Sequence, residues 1–217
     1  MSSIVEALRD EGYLYNLFKE AKNKEEADGY PLIIISKGTK VINDSAFDNC
    51  TSLKSVIIPD SVVEIGNHAF RNCTSLESVI IPDSVVEIGS LAFSNCTRLE
   101  SIIIPKRLRL INSYTFWGCI SLRSVVIPNC VTFIRSCAFY GCSSLESVVI
   151  PDNMWVIGDN AFAWCKNLTF IIIPDSLKFI YYHAFFGCIN LKSISLSKKF
   201  RNKINYLGLL NKQCNFY

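Results

Sequence analysis

The amino-acid sequence predicts an α/β repeat solenoid with a parallel β-sheet on one face and a helical cap at its N-terminus. Three observations predict this fold class. A 23-residue period runs through most of the 217 residues, the apolar residues of each period alternate as in a β-strand that ends at proline, and the apolar residues before the first period follow helical spacing. With 50% hydrophobic and 19% charged residues, the chain is globular rather than disordered.

Residues 1–29 are predicted to form the helical N-terminal cap. Their apolar residues recur at helical spacing on both sides of Gly12, and Ser3 with Glu6 forms a candidate capping box. The residues that define this spacing are Ile4, Val5, Leu8, Leu14, Leu17, Phe18 and Ala21. A cap is expected here because the end of a stack of repeats otherwise exposes core residues.

Residues 30–196 are predicted to form the solenoid, as seven 23-residue units plus a final strand. Each unit carries a phenylalanine, a cysteine three residues later and a leucine three residues after that. The phenylalanines are Phe47, Phe70, Phe93, Phe116, Phe139, Phe162 and Phe185, and the cysteines are Cys50, Cys73, Cys96, Cys119, Cys142, Cys165 and Cys188. Eight strands, starting at 30, 53, 76, 99, 122, 145, 168 and 191, then span roughly 34 Å at about 4.8 Å per strand.

The unit 53–75 illustrates the predicted strand. Leu53, Val56 and Ile58 are expected to point inward, while Ser55 and Ile57 alternate outward. The proline that follows ends the strand because it cannot donate a hydrogen bond to the next one.

The remainder of the unit is expected to return along an opposite wall. Val62 and Ile65 point inward from that wall, and Gly66 permits a turn that larger residues resist. Phe70 then fills the centre of the unit and Cys73 seals its corner. No single unit buries these side chains alone, so stacking of neighbouring units is what creates the core.

Residues 197–217 are predicted to form the C-terminal cap, which contains Phe200, Tyr206 and Leu207. This end is also basic, because residues 191–217 hold six lysines and arginines and no acid. Two interpretations remain open for that charge, a solubilising end and a contact with an anionic partner.

The pattern Ala-Phe-x-x-Cys-x-x-Leu-x-Ser-x-x-Ile-Pro-x-Ser-Val-x-x-Ile-Gly resembles the BspA-type (Treponema-type) leucine-rich repeat over about residues 30–196. Two copies, 53–75 and 76–98, are nearly identical. The resemblance implies a leucine-rich repeat solenoid. In function, it implies an adhesion or protein-binding module of the kind that is commonly cell-surface or secreted.

Seven of the ten cysteines form the repeat column, and we expect them to be free, packed thiols. A line of sulfurs about 5 Å apart cannot surround a zinc ion tetrahedrally, and an odd column of seven argues against a disulfide framework. Cys130, Cys137 and Cys214 lie off the column, and no basic neighbourhood or histidine partner marks any of them as a nucleophile.

No catalytic, cofactor-binding or metal site is predicted. His68 and His183 hold the same repeat position five copies apart, so roughly 24 Å separates them and they cannot share a metal ion or a proton. The sequence contains no glycine-rich phosphate loop and no Gly-x-Ser-x-Gly motif, and no unit breaks the repeat with a titratable cluster. We therefore interpret the protein as one that is not an enzyme and needs no cofactor.

Two surfaces are candidate partner-binding sites. One is a column of outward aliphatic side chains on the strands, which the β-propensity of branched residues explains equally well. The other is the aromatic C-terminal half, part of which we expect to pack on neighbouring repeats or on the C-terminal cap. The candidate residues are Ile57, Ile80, Ile103, Val126, Val149 and Ile172 in the column, and Trp117, Tyr140, Trp155, Trp164 and Phe186 in the aromatic half.

The sequence favours a non-catalytic protein-binding or adhesion module whose protein partner it does not name. Surface-glycan recognition by the aromatic residues and a self-associating, homo-oligomeric structural unit are the alternatives, and nucleic acid is not favoured. No apolar run reaches the roughly 18 residues of a membrane helix. A cytoplasmic location is favoured by the many free cysteines and by an N-terminus without signal-peptide features, whereas the family resemblance implies the cell surface or secretion.

Overall fold

The protein is a parallel β-solenoid, described by a computed structural model over residues 18–20, 29, 31–209 and 213–216. Each repeat contributes a longer strand to a first wall and a two-residue strand to a second wall, with the core between them. The first wall contains Phe18–Glu20, Leu32–Ile34, Ser55–Ile57, Ser78–Ile80, Ser101–Ile103, Ser124–Val126, Ser147–Val149, Phe170–Ile172, Ser193–Leu196 and Gln213–Phe216. The second wall contains Val41–Ile42, Glu64–Ile65, Glu87–Ile88, Leu110–Ile111, Phe133–Ile134, Val156–Ile157 and Phe179–Ile180.

The eight predicted strands are all present in the first wall. Neighbouring strands pair in parallel with a register of one repeat, so that Val125 lies beside both Ile102 and Val148. Two further strands, Phe18–Glu20 and Gln213–Phe216, extend this wall at its two ends in the same parallel sense. The solenoid is therefore longer than its regular repeats.

The predicted helical N-terminal cap is not supported. Phe18–Glu20, which the helical spacing included, forms a β-strand because its backbone pairs with Leu32–Ile34. Residues 1–17 and 21–28, which carry the rest of that prediction, lie outside the described part of the chain. Among the described residues the one helical segment is a 3-10 helix at Lys198–Leu207, so the α component of the predicted α/β class is wrong for this part.

The core follows the repeat as the sequence predicts. The inward residues of the illustrated unit, including Leu53, Val56, Val62 and Ile65, are all buried. The seven repeat phenylalanines form one stack through the centre, with ring centroids 5.2–5.8 Å apart and planes within 13° of parallel. This separation is close to that of paired strands, so the phenylalanine column and the walls advance together.

Gly66 is required for a different reason from the predicted one. Its backbone does not adopt a positive φ. Instead, a Cβ at Gly66 would lie 2.5 Å from Oδ1 and 2.6 Å from the backbone N of Asp44 in the preceding repeat. Gly89 is equally close to Asn67. Glycine therefore serves close stacking of consecutive repeats here, rather than an unusual turn conformation.

The predicted column of packed, buried cysteines is present. Each Sγ from Cys73 to Cys188 donates a hydrogen bond, 3.1–3.3 Å long, to the backbone carbonyl of the phenylalanine 26 residues earlier. Burial raises the pKa of the Cys119 thiol to about 12 and that of Cys142 well above its ordinary value. The column thus consists of buried thiols whose hydrogen bonds tie each repeat to the one before it.

Both walls are interrupted at the same junction, between the repeats that begin at 76 and 99. The strand Ser78–Ile80 ends one first-wall sheet and Ser101–Ile103 begins the next, and the second wall breaks between Glu87–Ile88 and Leu110–Ile111. At the two preceding junctions of the second wall, the backbone N–H of Gly66 and of Gly89 donates to an isoleucine carbonyl. At the interrupted junction the side chain of Asn112 donates instead, from Nδ2 to the Ile88 carbonyl at 2.8 Å.

Candidate functional site

The first wall presents the predicted aliphatic column to solvent. Ile80, Ile103, Val126, Val149 and Ile172 are 59–72% exposed, whereas Ile57 is half-buried. The exposure follows from strand alternation, since the residue before each of them points into the core. The result is a continuous apolar column, one side chain per repeat, in the middle of the first wall.

The structure divides the predicted aromatic half between two separate surfaces. Trp117, Tyr140, Trp164 and Phe186 lie on the edge formed by the turns around the repeat phenylalanine, here called the turn edge. Trp117 stacks on Tyr140 with ring centroids 6.3 Å apart, and both are half-buried. Trp155 lies beside the second wall and is therefore not part of this group.

The turn-edge aromatics are engaged with neighbouring repeats. Trp164 meets Phe186 edge-on at 5.5 Å and covers Gly187, where a Cβ would come within 2.7 Å of the indole. Phe186 is in turn covered by the C-terminal segment at Gly208, where a Cβ would lie 2.6 Å from the Phe186 Cα. These contacts give the turn-edge aromatics a packing role, in agreement with the expectation that part of the aromatic half packs on neighbouring repeats.

A second aromatic group lies on the C-terminal half of the second wall. Phe133 and Phe179 share one repeat position, two repeats apart, and are 37% and 53% exposed. Trp155 is 53% exposed and meets Phe133 edge-on at 6.2 Å, and Tyr181 is 47% exposed and 6.3 Å from Phe179. We call these four residues the second-wall cluster. Aromatic side chains with this exposure and mutual contact are typical of interaction hot spots.

A groove of about 230 Å³ opens within this cluster. Phe133 and Tyr181 line it on the aromatic side, and Arg135 and Asp159 supply opposite charges. The remaining lining residues are Ser113, Ile134, Ser136, Val156 and Gly158. The groove therefore combines apolar contact area with hydrogen-bonding groups, as ligand sites do.

Gly158 creates the space in this groove. It occupies the repeat position that holds Arg135 one repeat earlier and Tyr181 one repeat later. A Cβ at Gly158 would lie 2.7 Å from the Ser136 backbone N and 2.8 Å from the Arg135 carbonyl carbon, so close stacking admits no side chain there. The gap between two long side chains follows directly from that restriction.

The charged groups of the groove remain available to a ligand. The Asp159 carboxylate accepts a hydrogen bond from the backbone N–H of Tyr182 at 3.1 Å, which leaves its second oxygen free of that bond. Arg135 is exposed, and its guanidinium has no acidic side chain within 4.0 Å among residues 31–209. An exposed guanidinium next to aromatic rings suits a carboxylate or a polar backbone group of a partner.

Sequence reasoning did not select Arg135 or Asp159, and it placed Phe133, Phe179 and Tyr181 in the aromatic C-terminal half without naming them as candidate site residues. One signal was present in the sequence. The repeat position that holds glycine at Gly66, Gly89 and Gly158 holds a long side chain at Arg135 and Tyr181. Arg135 and Tyr181 lie on either side of Gly158 because of the spacing between repeats, and the sequence pattern does not give that spacing.

The described residues hold no group of three or more His, Cys, Asp or Glu side chains placed to bind a metal ion. His68 and His183 both adopt a left-handed turn conformation, with φ of 57° and 56°, and His183 packs against Tyr182 and Phe186. In the part of the chain that the structure covers, no helix is long and apolar enough to cross a membrane.

Comparison with known proteins assigns the repeats. The model of the BspA type leucine rich repeat region matches residues 29–146 and 134–207, in six copies. No curated protein sequence matches the chain.

The solved structures that are similar to this chain include two leucine-rich repeat proteins. A leucine-rich repeat protein of T. pallidum is 32% identical with a TM-score of 0.72, over 86% of this chain and 87% of that one. A leucine rich cell surface protein of Faecalibacterium prausnitzii is 25% identical with a TM-score of 0.54, and the match covers 91% of this chain but 62% of that protein.

Proposed function

Because the chain belongs to the BspA-type leucine-rich repeat family, we propose that it is a non-catalytic protein-binding or adhesion module that holds its partner on the second-wall cluster. Repeat solenoids of this kind offer an extended surface for recognition. The observation that carries the choice of surface is the groove of about 230 Å³ between Phe133 and Tyr181, with Arg135 and Asp159 beside it.

The second-wall cluster is favoured over the turn edge because three of its four aromatic rings are more exposed than the turn-edge rings and less committed to packing. Trp155 and Phe179 are each 53% exposed, whereas Trp164 and Phe186 are 37% and 36% exposed and contact each other and the C-terminal segment. A side chain that is free before binding contributes its full apolar area to an interface. That the F. prausnitzii protein is described as a cell surface protein supports the adhesion side of the proposal.

Glycan recognition is the second candidate, because the same groove combines aromatic rings with Arg135, Asp159 and the hydroxyls of Ser113 and Ser136. Binding of the purified protein to a glycan array would favour this candidate. A protein partner should instead use the exposed rings outside the groove, Trp155 and Phe179, as well as the groove itself.

The test uses cross-linking to capture binding partners from the native host, and it compares two double variants with the wild type. Trp155→Ser with Phe179→Ser removes the exposed rings of the second wall, and Trp164→Ser with Phe186→Ser is the matched control on the turn edge. For a partner that the wild type captures, we expect the first variant to weaken binding at least tenfold, since hot-spot aromatics each contribute about 2 kcal/mol or more.

The turn-edge variant is expected to keep that partner, provided that circular dichroism shows both variants folded. Equal capture by wild type and the second-wall variant would overturn the choice of surface. The absence of any saturable partner, protein or glycan, would overturn the proposed function.

A further inference from the structure

The apolar column of the first wall, Ile80 to Ile172, is bordered on both sides by charged residues. Immediately before the strands runs an entry column, in which each backbone N–H from Glu77 to Lys192 donates to the carbonyl of the member one repeat earlier. Its members are Lys54, Glu77, Glu100, Arg123, Glu146, Thr169 and Lys192. After the strands runs an exit column of Asp60, Asp83, Lys106, Asn129, Asp152, Asp175 and Lys198. All of these charged side chains are exposed.

We propose that the first wall is a self-recognition surface, on which a second copy of this chain packs face to face with its repeats running in the opposite direction. In this arrangement a twofold axis lies parallel to the strands, between the repeats of Arg123 and Glu146. Each column then faces its own copy in reverse order, as in any isologous interface. The proposal does not depend on the function proposed for the second-wall cluster.

The charge order of both columns supports this register. In the entry column Arg123 faces Glu146 and Glu77 faces Lys192, while Glu100 faces the uncharged Thr169. Each of these pairings occurs twice because of the symmetry, and none places two like charges together. Complementary charges of this kind select register and partner.

The exit column gives the same register independently. Lys106 faces Asp175 and Asp83 faces Lys198, while Asn129 faces Asp152. Within each copy Lys106 already lies 3.6 Å from Asp83, and its backbone N–H lowers the pKa of that carboxyl. Alternating charges along one column can therefore serve both the fold of each copy and the contact between copies.

A slide of one repeat in either direction introduces like-charge contacts that the proposed register avoids. In one direction Glu100 faces Glu146 and Arg123 faces itself, and in the other direction Glu146 faces itself. Like-charge contacts of this kind cost several kcal/mol at an interface. Both columns therefore favour this antiparallel register over the two registers that are shifted by one repeat.

The outward side chains of the strands fit the same register. Val126 faces Val149 and Ile103 faces Ile172, so the most exposed aliphatic residues lie at the centre of the interface. Phe170, the one large residue in a row that is otherwise serine from Ser78 to Ser193, faces the small Ser101.

The size of the face predicts a dimer of moderate affinity. Six repeats at about 4.8 Å and six residues at about 3.3 Å give a footprint of roughly 570 Å² per copy. Stable complexes usually bury about 800 Å² per partner, so we expect a dissociation constant in the micromolar range. Sedimentation velocity from about 1 µM to about 1 mM should show a monomer–dimer equilibrium within that range.

Charge reversal tests the register. Arg123→Glu and Glu146→Arg each create two like-charge contacts in the dimer, so each should raise the dissociation constant at least tenfold. An equimolar mixture of these two variants should dimerise again, because every Glu then faces an Arg. The double variant Arg123→Glu with Glu146→Arg should also recover wild-type association. Arg109→Glu, at an exposed residue beside the second wall and outside the candidate site, is the matched control and should leave the dissociation constant unchanged.

Three outcomes would overturn the proposal. A wild type that stays monomeric to about 1 mM shows that the first wall does not bind a second copy. A dimer that ignores both single reversals uses another surface. A dimer that the single reversals disrupt, but that neither the mixture nor the double variant restores, does not have the proposed register.

Discussion

At the scale of the single residue, the column of buried thiols is the feature with the clearest chemical consequence. The Cys119 thiol is fully buried and donates to the Phe93 carbonyl, and burial raises its pKa to about 12 from an ordinary 9.0. A folded-state pKa above the unfolded value means that the unfolded chain loses its proton first as the pH rises. The stability that this thiol contributes is therefore complete below about pH 9 and is lost progressively towards pH 12.

The corresponding prediction concerns the free energy of unfolding at pH 8 and pH 10. Replacement Cys119→Ala should lower stability at pH 8, but the difference from wild type should shrink by about 1.4 kcal/mol at pH 10, because the variant has no thiol to deprotonate there. Urea denaturation at pH 8 and at pH 10 measures the free energy of unfolding of each variant. Leu122→Ala is the control, since it removes a buried side chain that does not titrate, and an equal change for both variants would contradict the prediction.

A second residue-scale feature is a left-handed backbone at the position two residues before each repeat phenylalanine. All seven residues there have φ between 53° and 60°, and none is glycine. Asn160 tolerates this conformation, whereas Leu91, with φ of 58°, carries a steric cost of about 1 kcal/mol. The repeat thus keeps a strained turn because hydrogen bonds between repeats hold it.

Exchange of these two residue types should move stability in opposite directions. Leu91→Asn should raise the free energy of unfolding by up to about 1 kcal/mol, and the matched change Asn160→Leu should lower it by a similar amount. Thermal or urea unfolding of both variants provides the measurement. If Leu91→Asn destabilises as much as Asn160→Leu, side-chain packing rather than backbone conformation controls this position.

At the scale of structural elements, the junction between the repeats beginning at 76 and 99 differs from the others. Both walls are interrupted there, and the side chain of Asn112 supplies the hydrogen bond to Ile88 that backbone supplies elsewhere. In a repeat protein, stability is the sum of the repeats and of the interfaces between neighbours. An interface with fewer backbone hydrogen bonds is where the stack should open first.

Native-state hydrogen exchange should therefore report the lowest opening free energies at this junction. We expect the amides of Ser101–Ile103 to exchange faster than those of Ser147–Val149, which lie at an uninterrupted junction. Asn112→Ala should widen the difference by about 1 kcal/mol, since it leaves the Ile88 carbonyl without its side-chain donor. Equal protection of the two strands would contradict this.

Much of this architecture was predictable because one period controls it. The residues at the phenylalanine, cysteine and leucine positions are buried as expected, since stacking gives every copy the same surroundings. Phe18–Glu20 was predicted wrongly as helical, because this strand depends on pairing with Leu32–Ile34 and helical spacing of apolar residues does not report that contact. The interruption beside Asn112 was also not predictable, since it reflects the fit of two particular repeats.

At the scale of the whole molecule, the candidate binding surfaces were predictable as columns but not as sites. The sequence places Trp155 with Trp117, yet the solenoid puts them on different surfaces, because residues close in the repeat lie on different sides of its cross-section. The groove of the second-wall cluster arises from Arg135, Gly158 and Tyr181 in three successive repeats. Only stacking brings those side chains to one opening.

The two proposed surfaces have a joint consequence, because the first and second walls are separate sheets that share one core. A dimer that joins two first walls would leave both of its second-wall clusters uncovered. Such a dimer carries two partner sites and is therefore suited to bridging two partner-coated surfaces.

This arrangement predicts that the wild type aggregates beads coated with its partner at protein concentrations where it dimerises. Arg123→Glu should bind the same beads singly without aggregating them, because the second-wall cluster is intact while the dimer is lost. Addition of an equal amount of Glu146→Arg should restore aggregation, and light scattering of the bead suspension measures all three states. Aggregation by Arg123→Glu alone would show that bridging does not require the first wall.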